Sequence, residues 1–188
     1  MKIVLLASGA GSLAHAIFSA RASGQLDCDI SLLISDQNSP VLAKAESAAV
    51  PTKFLPMLAD RNEWNHQLFE IVKGQNPDLV VSVGFMRILA PDFVSHFRVI
   101  NTHPALLPKY PGAHAVRDAL ADGATVSGAT VHWVDAGVDT GEVISQREVP
   151  VLDGDDEASL HERIKIAERT LIVETLQHFA THPIPGAH

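Results

Sequence analysis

A run of apolar residues that leads into a glycine-rich turn and a helical pattern is the feature that most restricts how this chain can fold. Residues 3–7 are all apolar, as in a strand that is covered on both faces. Residues 8–12 follow with the sequence Ser-Gly-Ala-Gly-Ser, and a helical apolar pattern comes next. Its members are Leu13, Ala16, Ile17 and Ala20. A strand, a glycine turn and a helix in this order direct free amide hydrogens at an anion. The feature therefore predicts a parallel α/β sheet with an anion site at its first turn.

The alternation of strand and helix continues along the chain. Strands are predicted at 30–34, 52–55, 79–83, up to 103, at 128–134 and at 142–149. Helices are predicted at 40–49, from 62 onward, at 113–121 and at 159–179, and Asn62 is the predicted N-cap of the second of these. The pattern indicates an α/β fold, with a mostly parallel, doubly wound (Rossmann-like) sheet and helices on both faces. The last two strands are expected to pair antiparallel.

Length and charge limit the function classes. The chain has 188 residues, enough for one domain at 1–188 with a loose tail from about 180. Its net charge of −8 argues against a nucleic-acid partner. The first apolar run is too short for a signal peptide or a membrane span. The lone cysteine, Cys28, forms neither an internal disulfide nor a thiolate metal cluster. These features predict a cytoplasmic protein that acts on small molecules, with neither a nucleic acid nor a membrane as partner.

Two polar side chains, Asn101 and His103, stand at the end of a predicted central strand. Because side chains alternate along a strand, both point to the same side, and Pro104 ends the pairing because it has no amide hydrogen. The carboxyl edge of an open α/β sheet is where such sheets bind ligands. Both side chains donate hydrogen bonds, so the pair suits an oxyanion that forms at a carbonyl carbon under attack. A histidine bonded only to backbone carbonyls is an equally favoured interpretation.

The glycine turn allows two kinds of ligand. Residues 9–14 fit the pattern G-x-G-x-x-A after a strand, and Asp36 lies about 20 residues further on, where dinucleotide sites carry a ribose ligand. The phosphate of any small substrate uses the same amides. From this element alone, a nicotinamide dinucleotide oxidoreductase and a monophosphate-binding protein are equally favoured.

A loop rich in turn-forming residues carries two carboxylates, Asp135 and Asp139. Carboxylate, imidazole and carboxamide together supply what acyl transfer to an amine requires, because the amine loses a proton and the leaving nitrogen gains one. A neighbouring carboxylate also favours the protonated imidazole. Turn capping is the alternative role of both aspartates. A metal site formed by His103, His114, His132 and the aspartates is disfavoured, because no compact ligand spacing occurs.

Four motifs, in order, resemble those of the phosphoribosylglycinamide formyltransferase family. They are the glycine turn at 8–12, Gly-Phe-Met-Arg-Ile-Leu at 84–89, Asn-Thr-His-Pro-Ala-Leu-Leu-Pro-Lys-Tyr-Pro-Gly at 101–112 and Asp-Ala-Gly-Val-Asp-Thr-Gly at 135–141. The resemblance extends to about Phe179 and implies the formyltransferase fold. It also implies transfer of a formyl group from 10-formyltetrahydrofolate, a co-substrate, to the glycine amine of a ribonucleotide in purine synthesis, without a metal.

The resemblance implies roles for the catalytic candidates. Asn101 and His103 polarise the formyl oxygen, His103 is the general acid, and Asp139 raises the pKa of His103. The prolines after His103 form a proline-rich loop, residues 104–112. Family members hold the peptide bond before the second proline of this loop in cis, which corresponds to Leu107-Pro108 here.

The resemblance also implies the residues of two binding sites. The ribonucleotide site comprises the backbone amides of Gly11, Ser12 and Leu13, together with Pro104, Lys165 and Glu168. The folate site comprises Arg61, Met86, Arg87, Ile88, Leu89, Asn101, Asp135, Val138 and Asp139.

Two departures from the family pattern concern the phosphate. Ala10 and Leu13 stand where many members carry polar residues, and Lys165 stands where some carry glutamine. A phosphate carries more charge than a helix start offsets, and Lys165 shares a helix face with Glu168, so Lys165 is a candidate phosphate ligand. A surface lysine paired with an acidic residue is the alternative, slightly favoured interpretation.

Relatives with the same catalytic residues are disfavoured. Methionyl-tRNA formyltransferase adds an RNA-binding domain and formyltetrahydrofolate hydrolase adds a regulatory domain, and neither fits within 188 residues. Another formyl-transfer or formyl-hydrolysing enzyme of this fold remains the alternative. An oxidoreductase leaves Asn101, His103 and the 135–141 loop unexplained. We therefore expect a transferase of small molecules, as a monomer or homodimer.

Overall fold

A seven-stranded sheet with helices against both faces forms the centre of the molecule, and the computed structural model describes residues 1–185. The strands are β1 (Lys2–Ala7), β2 (Asp29–Ser35), β3 (Thr52–Phe54), β4 (Leu79–Ser82), β5 (Val99–His103), β6 (Val126–Trp133) and β7 (Val143–Pro150). The helices are α1 (Ser12–Ala22), α2 (Pro40–Ser47), α3 (Arg61–Gln75), α4 (Pro91–His96), α5 (Ala115–Ala121) and α6 (Glu157–Thr181). No helix within this part of the chain is both long enough and apolar enough to cross a lipid bilayer.

The strand order is β3-β2-β1-β4-β5-β6-β7. The first five strands pair in parallel, and β6 pairs antiparallel with both of its neighbours. This confirms the mostly parallel α/β fold and the antiparallel pairing of the last two strands. The antiparallel pairing of β5 with β6 was not predicted, and it sets Asn101 opposite His132 and His103 opposite Thr130.

Strand β1 is buried on both faces, which explains its uninterrupted apolar sequence. Ile3 and Leu5 belong to one hydrophobic cluster, with side chains from α1, α2, α5 and α6. Val4 and Leu6 belong to a second cluster, with side chains from α3 and α4. Because side chains alternate along a strand, neighbouring residues contribute to cores on opposite sides of the sheet. The sheet is therefore doubly wound.

Two helix ends differ from the sequence predictions. Asp60, and not Asn62, is the N-cap of α3: its carboxylate accepts hydrogen bonds from the amides of Asn62 and Glu63 at 2.8 and 3.3 Å. The first turn of a helix has free amides, and an aspartate just before it reaches them. Helix α4 was not predicted, since its apolar pattern is too short to stand out.

The predicted loose tail from about 180 was too long. Helix α6 continues to Thr181. Beyond it, Ile184 packs against the core, and its carbonyl accepts a hydrogen bond from Arg98 at 3.0 Å. Tertiary contacts from another element thus hold residues that lack a helical pattern. Residues 186–188 of the predicted tail lie outside the described residues.

Candidate active site

The carboxyl ends of β1, β4 and β5 bring three of the sequence motifs to one edge of the sheet. The amide of Ser8, just after β1, donates to the carbonyl of Gly84 at 3.1 Å. The hydroxyl of Ser8 accepts from the amide of Met86 at 2.9 Å. These bonds fix the glycine turn beside the 84–89 loop. His103, the last residue of β5, lies at the same edge.

His103 is buried, and acceptors lie near both of its ring nitrogens. Nε2 lies 2.7 Å from the carbonyl oxygen of Tyr110, and Nδ1 lies 3.3 Å from Oδ2 of Asp139. Burial lowers the pKa of His103 below its ordinary value, although Tyr110 and Asp139 act to raise it and His132 lowers it further. Asp139 therefore acts to raise this pKa, as the resemblance implied, whereas desolvation is the larger effect and sets the net direction.

Asp139 lies between two imidazoles. Its Oδ1 lies 3.5 Å from Nε2 of His132, and its Oδ2 accepts a hydrogen bond from the amide of Gly112 at 2.8 Å. The pKa of Asp139 lies below its ordinary value, mainly because of the hydrogen bond with His132. The hydrogen bond from Gly112 and the charge of His103 lower this pKa further, whereas burial acts to raise it. Asp139 has a φ of 53°, in the left-handed region that non-glycine residues seldom adopt. The 135–141 loop thus holds this carboxylate, still ionised, against the histidines.

His132 is the site residue whose position the sequence analysis missed. It was considered only as a metal ligand, although its place on β6 opposite Asn101 brings the two side chains together. Nε2 of His132 lies 3.5 Å from Nδ2 of Asn101, and Nδ1 donates to the carbonyl of Trp133 at 2.8 Å. Within residues 1–185, no group of three or more His, Cys, Asp or Glu side chains has a geometry that holds a metal ion. His114 stands apart as the N-cap residue of α5.

The proline-rich loop after His103 is anchored by a buried hydroxyl on β6. Oγ1 of Thr130 donates to the carbonyl of Ala105 at 2.6 Å and accepts from the amide of Leu107 at 3.1 Å. The side-chain amide of Gln146 donates to this hydroxyl at 3.0 Å and to the carbonyl of Leu107 at 2.8 Å. The Leu107-Pro108 bond is cis, as the resemblance implied. Half-buried Pro104 begins this loop directly after β5.

The glycine turn forms the start of α1 as the sequence predicted. Gly11 is the N-cap residue with a φ of 72°, and a Cβ there would lie 2.3 Å from Cγ2 of Val41. Only glycine fits this position, on both conformational and steric grounds. The side chain of Leu13 is buried in the core, so only its backbone amide can face a ligand. Ser12 is half-buried, and its amide belongs to the first turn, whose amides have no partner within the helix.

Glu168 and Lys165 both lie on α6, but Glu168 is buried and Lys165 lies at the surface. Glu168 is 7% exposed, and burial raises its pKa to about 7, although Lys165 and Arg169 act to lower it. The ammonium group of Lys165 lies 2.7 Å from Oε1 of Glu162. Lys165 therefore adopts the alternative arrangement, a surface pair on one helix, and a contact between Lys165 and a phosphate stays a prediction.

The 84–89 and 135–141 loops, which carry most of the proposed folate residues, both expose large apolar side chains. Met86, Ile88 and Val138 are 73%, 68% and 51% exposed, which is unusual for large apolar side chains and typical of a ligand surface. Leu89, by contrast, is buried in the core. The carboxylate of Asp135 accepts from the amide of Gly137 at 2.9 Å and from the hydroxyl of Thr140 at 2.7 Å, so in this structure it caps its own turn.

Two arginines support the 84–89 loop. Nη2 of Arg61 donates to the carbonyl of Ile88 at 2.6 Å, and its guanidinium lies 4.6 Å from the ring centre of Trp64. Nε of Arg87 lies 2.6 Å from Oδ2 of Asp36. The arrangement as a whole places an amide, two imidazoles and an ionised carboxylate at β5, β6 and the 135–141 loop. This cluster is next to the loop that follows β4, and the glycine turn that follows β1 is one strand further away. Such a set of groups can stabilise an oxyanion and move a proton.

Three comparisons with known proteins agree on one family. The family model described as "Formyl transferase" matches residues 1–176. The phosphoribosylglycinamide formyltransferase of Mycobacterium tuberculosis (strain ATCC 25618 / H37Rv) is 49% identical in an alignment of 188 positions. This alignment covers 97% of this chain and 86% of that protein. The Escherichia coli (strain K12) protein of the same name is 38% identical over 185 residues, covering 96% and 87%. The crystal structure of glycinamide ribonucleotide transformylase 1 from Symbiobacterium toebii matches with a TM-score of 0.92 at 35% identity, covering 96% of this chain and 87% of that one.

Proposed function

This chain belongs to the formyl transferase family, and we propose that it transfers a formyl group from 10-formyltetrahydrofolate to the amine of 5′-phosphoribosylglycinamide in purine synthesis. The observation that carries the proposal is the cluster of Asn101, His103, His132 and Asp139 at the carboxyl edge of the sheet. An anion-binding turn lies on one side of this cluster. An exposed apolar surface at the 84–89 loop supports the folate site.

The reaction forms a bond between the amine and the formyl carbon and breaks the bond from that carbon to the folate nitrogen. In the tetrahedral intermediate the formyl oxygen carries negative charge, and the amide of Asn101 donates a hydrogen bond to it. His103 starts mostly neutral near pH 7, because its pKa lies below the ordinary value of 6.5. It therefore accepts the proton that the amine loses and, as an imidazolium stabilised by Asp139, returns this proton to the leaving folate nitrogen.

We propose the following residues for the nucleotide site and the folate site. The amides of Gly11, Ser12 and Leu13 hold the substrate phosphate, and Glu168 binds the ribose part of the nucleotide. The apolar surface at Met86, Ile88 and Val138 holds the folate rings, with Arg61 and Arg87 beside it. A dinucleotide is not favoured, because the carboxylate of Asp36, its expected ribose ligand, bonds Arg87 instead. A single domain, a monomeric or homodimeric state and a cytoplasmic location stay predictions.

A formyl-transfer assay tests the proposal. The absorbance of deformylated folate is followed with and without the ribonucleotide, and we expect the signal only when both substrates are present. His103→Ala and Asp139→Asn should each lower kcat by at least ~100-fold, the usual scale for a proton-transfer or key electrostatic group, with far smaller changes in KM. Asp118→Asn, which removes an exposed ion pair with Arg117, is the matched control and should keep full activity. Near-normal turnover of either active-site variant contradicts the assignment.

A further inference from the structure

The 84–89 loop, which lies outside the helices and strands, exposes two large apolar side chains. Met86 and Ile88 point mainly into solvent, at 73% and 68% exposure. Phe85 and Leu89, at 9% and 8% exposure, anchor the two ends of the loop in the core. Met86 and Ile88 add no burial energy, so polar contacts hold the exposed part of the loop between these anchors. Three such contacts are the two hydrogen bonds with Ser8 and the bond from Arg61 to the carbonyl of Ile88.

The fourth contact is an ion pair with a residue that has no role in the proposed reaction. Nε of Arg87 lies 2.6 Å from Oδ2 of Asp36, which directly follows β2. Since β2 pairs with β1 and β1 pairs with β4, this contact reaches across β1 to the loop that follows β4. Asp36 thus ties the 84–89 loop to a strand that is not its direct neighbour.

The burial of Asp36 is costly for stability. Its side chain is 0% exposed, and within the described residues its Oδ1 has no hydrogen-bond partner. A buried carboxylate with one free oxygen forgoes much of the hydration that it has in water. An apolar residue of similar size would avoid this cost. The charge at this position is therefore better explained by what it does to Arg87 than by a contribution to folding.

The surrounding charges support this explanation. Arg61 is close enough to Arg87 and Asp36 for both to act on it: after burial, Arg87 lowers the pKa of Arg61 and Asp36 raises it. The carboxylate of Asp36 thus partly offsets the repulsion between the two guanidinium groups. Arg87 keeps 32% of its side chain exposed, so removal of the carboxylate would leave it free to turn away from Arg61 into solvent.

We propose that Asp36 is a positioning residue for the formyl donor: its buried carboxylate holds Arg87 and thereby fixes the 84–89 loop on which the donor binds. The inference rests on the proposed function, since it names a residue that supports the folate site. Asp36 acts through Arg87 and does not touch the reacting atoms. Its loss therefore weakens donor binding and leaves nucleotide binding and the chemical step nearly unchanged.

The first experiment compares the full-length protein with Asp36→Asn, which keeps the shape and removes the charge. Folic acid, which has no formyl group to transfer, is titrated calorimetrically, and the Kd should rise about tenfold, the scale of one charge-assisted hydrogen bond. In the assay, KM for the formyl donor should rise by a similar factor, while kcat and KM for the nucleotide stay within about twofold. Asp118→Asn is the control for loss of an exposed aspartate and should match the wild type. A purely structural role would instead lower the melting temperature and the active fraction without separating the two KM values.

The second experiment tests whether Asp36 acts through Arg87. The double variant Asp36→Asn/Arg87→Gln should bind folic acid no more weakly than Arg87→Gln alone, because the interaction is already lost. If Asp36→Asn does not fold, Arg87→Lys takes its place, since lysine keeps the charge but lacks Nε; it should also weaken folic acid binding. An unchanged Kd in the single variant, or effects of the two substitutions that add, overturns the inference.

The outcomes separate this inference from the proposed function. If the wild type neither binds folic acid nor transfers a formyl group, the proposed function is wrong, and the inference fails with it. If the wild type does both and Asp36→Asn behaves like the wild type, only the role of Asp36 is wrong.

Discussion

At the scale of single residues, burial and hydrogen bonding together set the charge states in this site. His103 and Glu168 are both less than a tenth exposed, and desolvation favours the neutral form of each. Asp139 is more exposed and accepts several hydrogen bonds, so it stays ionised. A neutral histidine beside an ionised aspartate is ready to accept a proton, whereas a neutral glutamic acid can donate a hydrogen bond as well as accept one.

Glu168 makes stability depend on pH. The carboxyl group ionises near 4.5 when exposed and near 7 in the folded protein, so between these values the folded state binds more protons than the unfolded state. The free energy of unfolding should therefore fall as the pH rises from 4.5 to 8. Glu168→Gln should remove this dependence and be more stable than the wild type at pH 8, by up to about 3 kcal/mol.

Urea denaturation at pH 5 and pH 8 measures this effect. The matched control is Glu174→Gln on the same helix, because Glu174 is exposed and pairs with Arg147 at the surface. The control should change stability by less than about 1 kcal/mol at either pH. If Glu168→Gln and Glu174→Gln follow the same pH profile, the raised pKa of Glu168 is refuted.

At the scale of elements, one side chain on β6 anchors the proline-rich loop that follows β5. Thr130 is fully buried, and its hydroxyl has three hydrogen-bond partners, two of them in the backbone of this loop. Gly128, two residues earlier on β6, leaves the space that the side chain of Leu106 occupies, since a Cβ there would lie 2.7 Å from Cδ2 of Leu106. The loop leads directly from His103 to Tyr110, whose carbonyl bonds the imidazole. The antiparallel strand therefore helps to orient His103, the candidate catalytic histidine.

Thr130→Val should destabilise the protein and slow the reaction. The substitution keeps the shape but leaves a backbone amide and a carbonyl buried without a partner, at a cost of about 2 kcal/mol. Because the loop then moves relative to His103, kcat should fall about tenfold or more while the nucleotide Kd stays nearly constant. Thr102→Val is the control: Thr102 is buried too, but within the described residues its hydroxyl has no partner. Equal losses of stability in both variants would show that the hydroxyl of Thr130 does not anchor the loop.

At the scale of the whole molecule, the sheet connects sites that are far apart in the sequence. The glycine turn follows β1, the loop with the exposed apolar side chains follows β4, and the histidines come from β5 and β6. A ligand that spans the edge of the sheet binds only the folded chain and stabilises it by mass action. At 100 times its Kd, such a ligand adds about 2.7 kcal/mol, which corresponds to a rise in Tm of about 5 to 10 °C.

We expect 5′-phosphoribosylglycinamide to produce this rise in a thermal melt. Nicotinamide dinucleotides at micromolar concentration should leave Tm unchanged, because Asp36 is bonded to Arg87. The comparison uses the same protein, buffer and ligand concentration for both compounds. A clear rise in Tm with the dinucleotide would restore the oxidoreductase interpretation of the glycine motif.

The sequence by itself determined the fold and supplied the main candidate catalytic residues. Strand β1 and its glycine turn are local features: an apolar run, a position that only glycine fits and a helical pattern, each set by neighbouring residues. Asn101 and His103 could be placed on one face because alternation along a strand is a local rule. Asp139 was found by its chemistry and by resemblance, since its loop has only a turn pattern of its own.

Only the tertiary structure decided the rest. The pairing of β5 with β6 brings His132 to Asn101 and Asp139, and strand pairing depends on contacts between distant segments. Desolvation outweighs the effect of Asp139 on the pKa of His103, and the sequence could not show this because the burial of a side chain is a property of the complete packing. The sequence suggested Asp36 as a ribose ligand because of its spacing from the glycine turn. Its ion pair with Arg87 joins two segments that are distant in the sequence, so only the folded chain shows it.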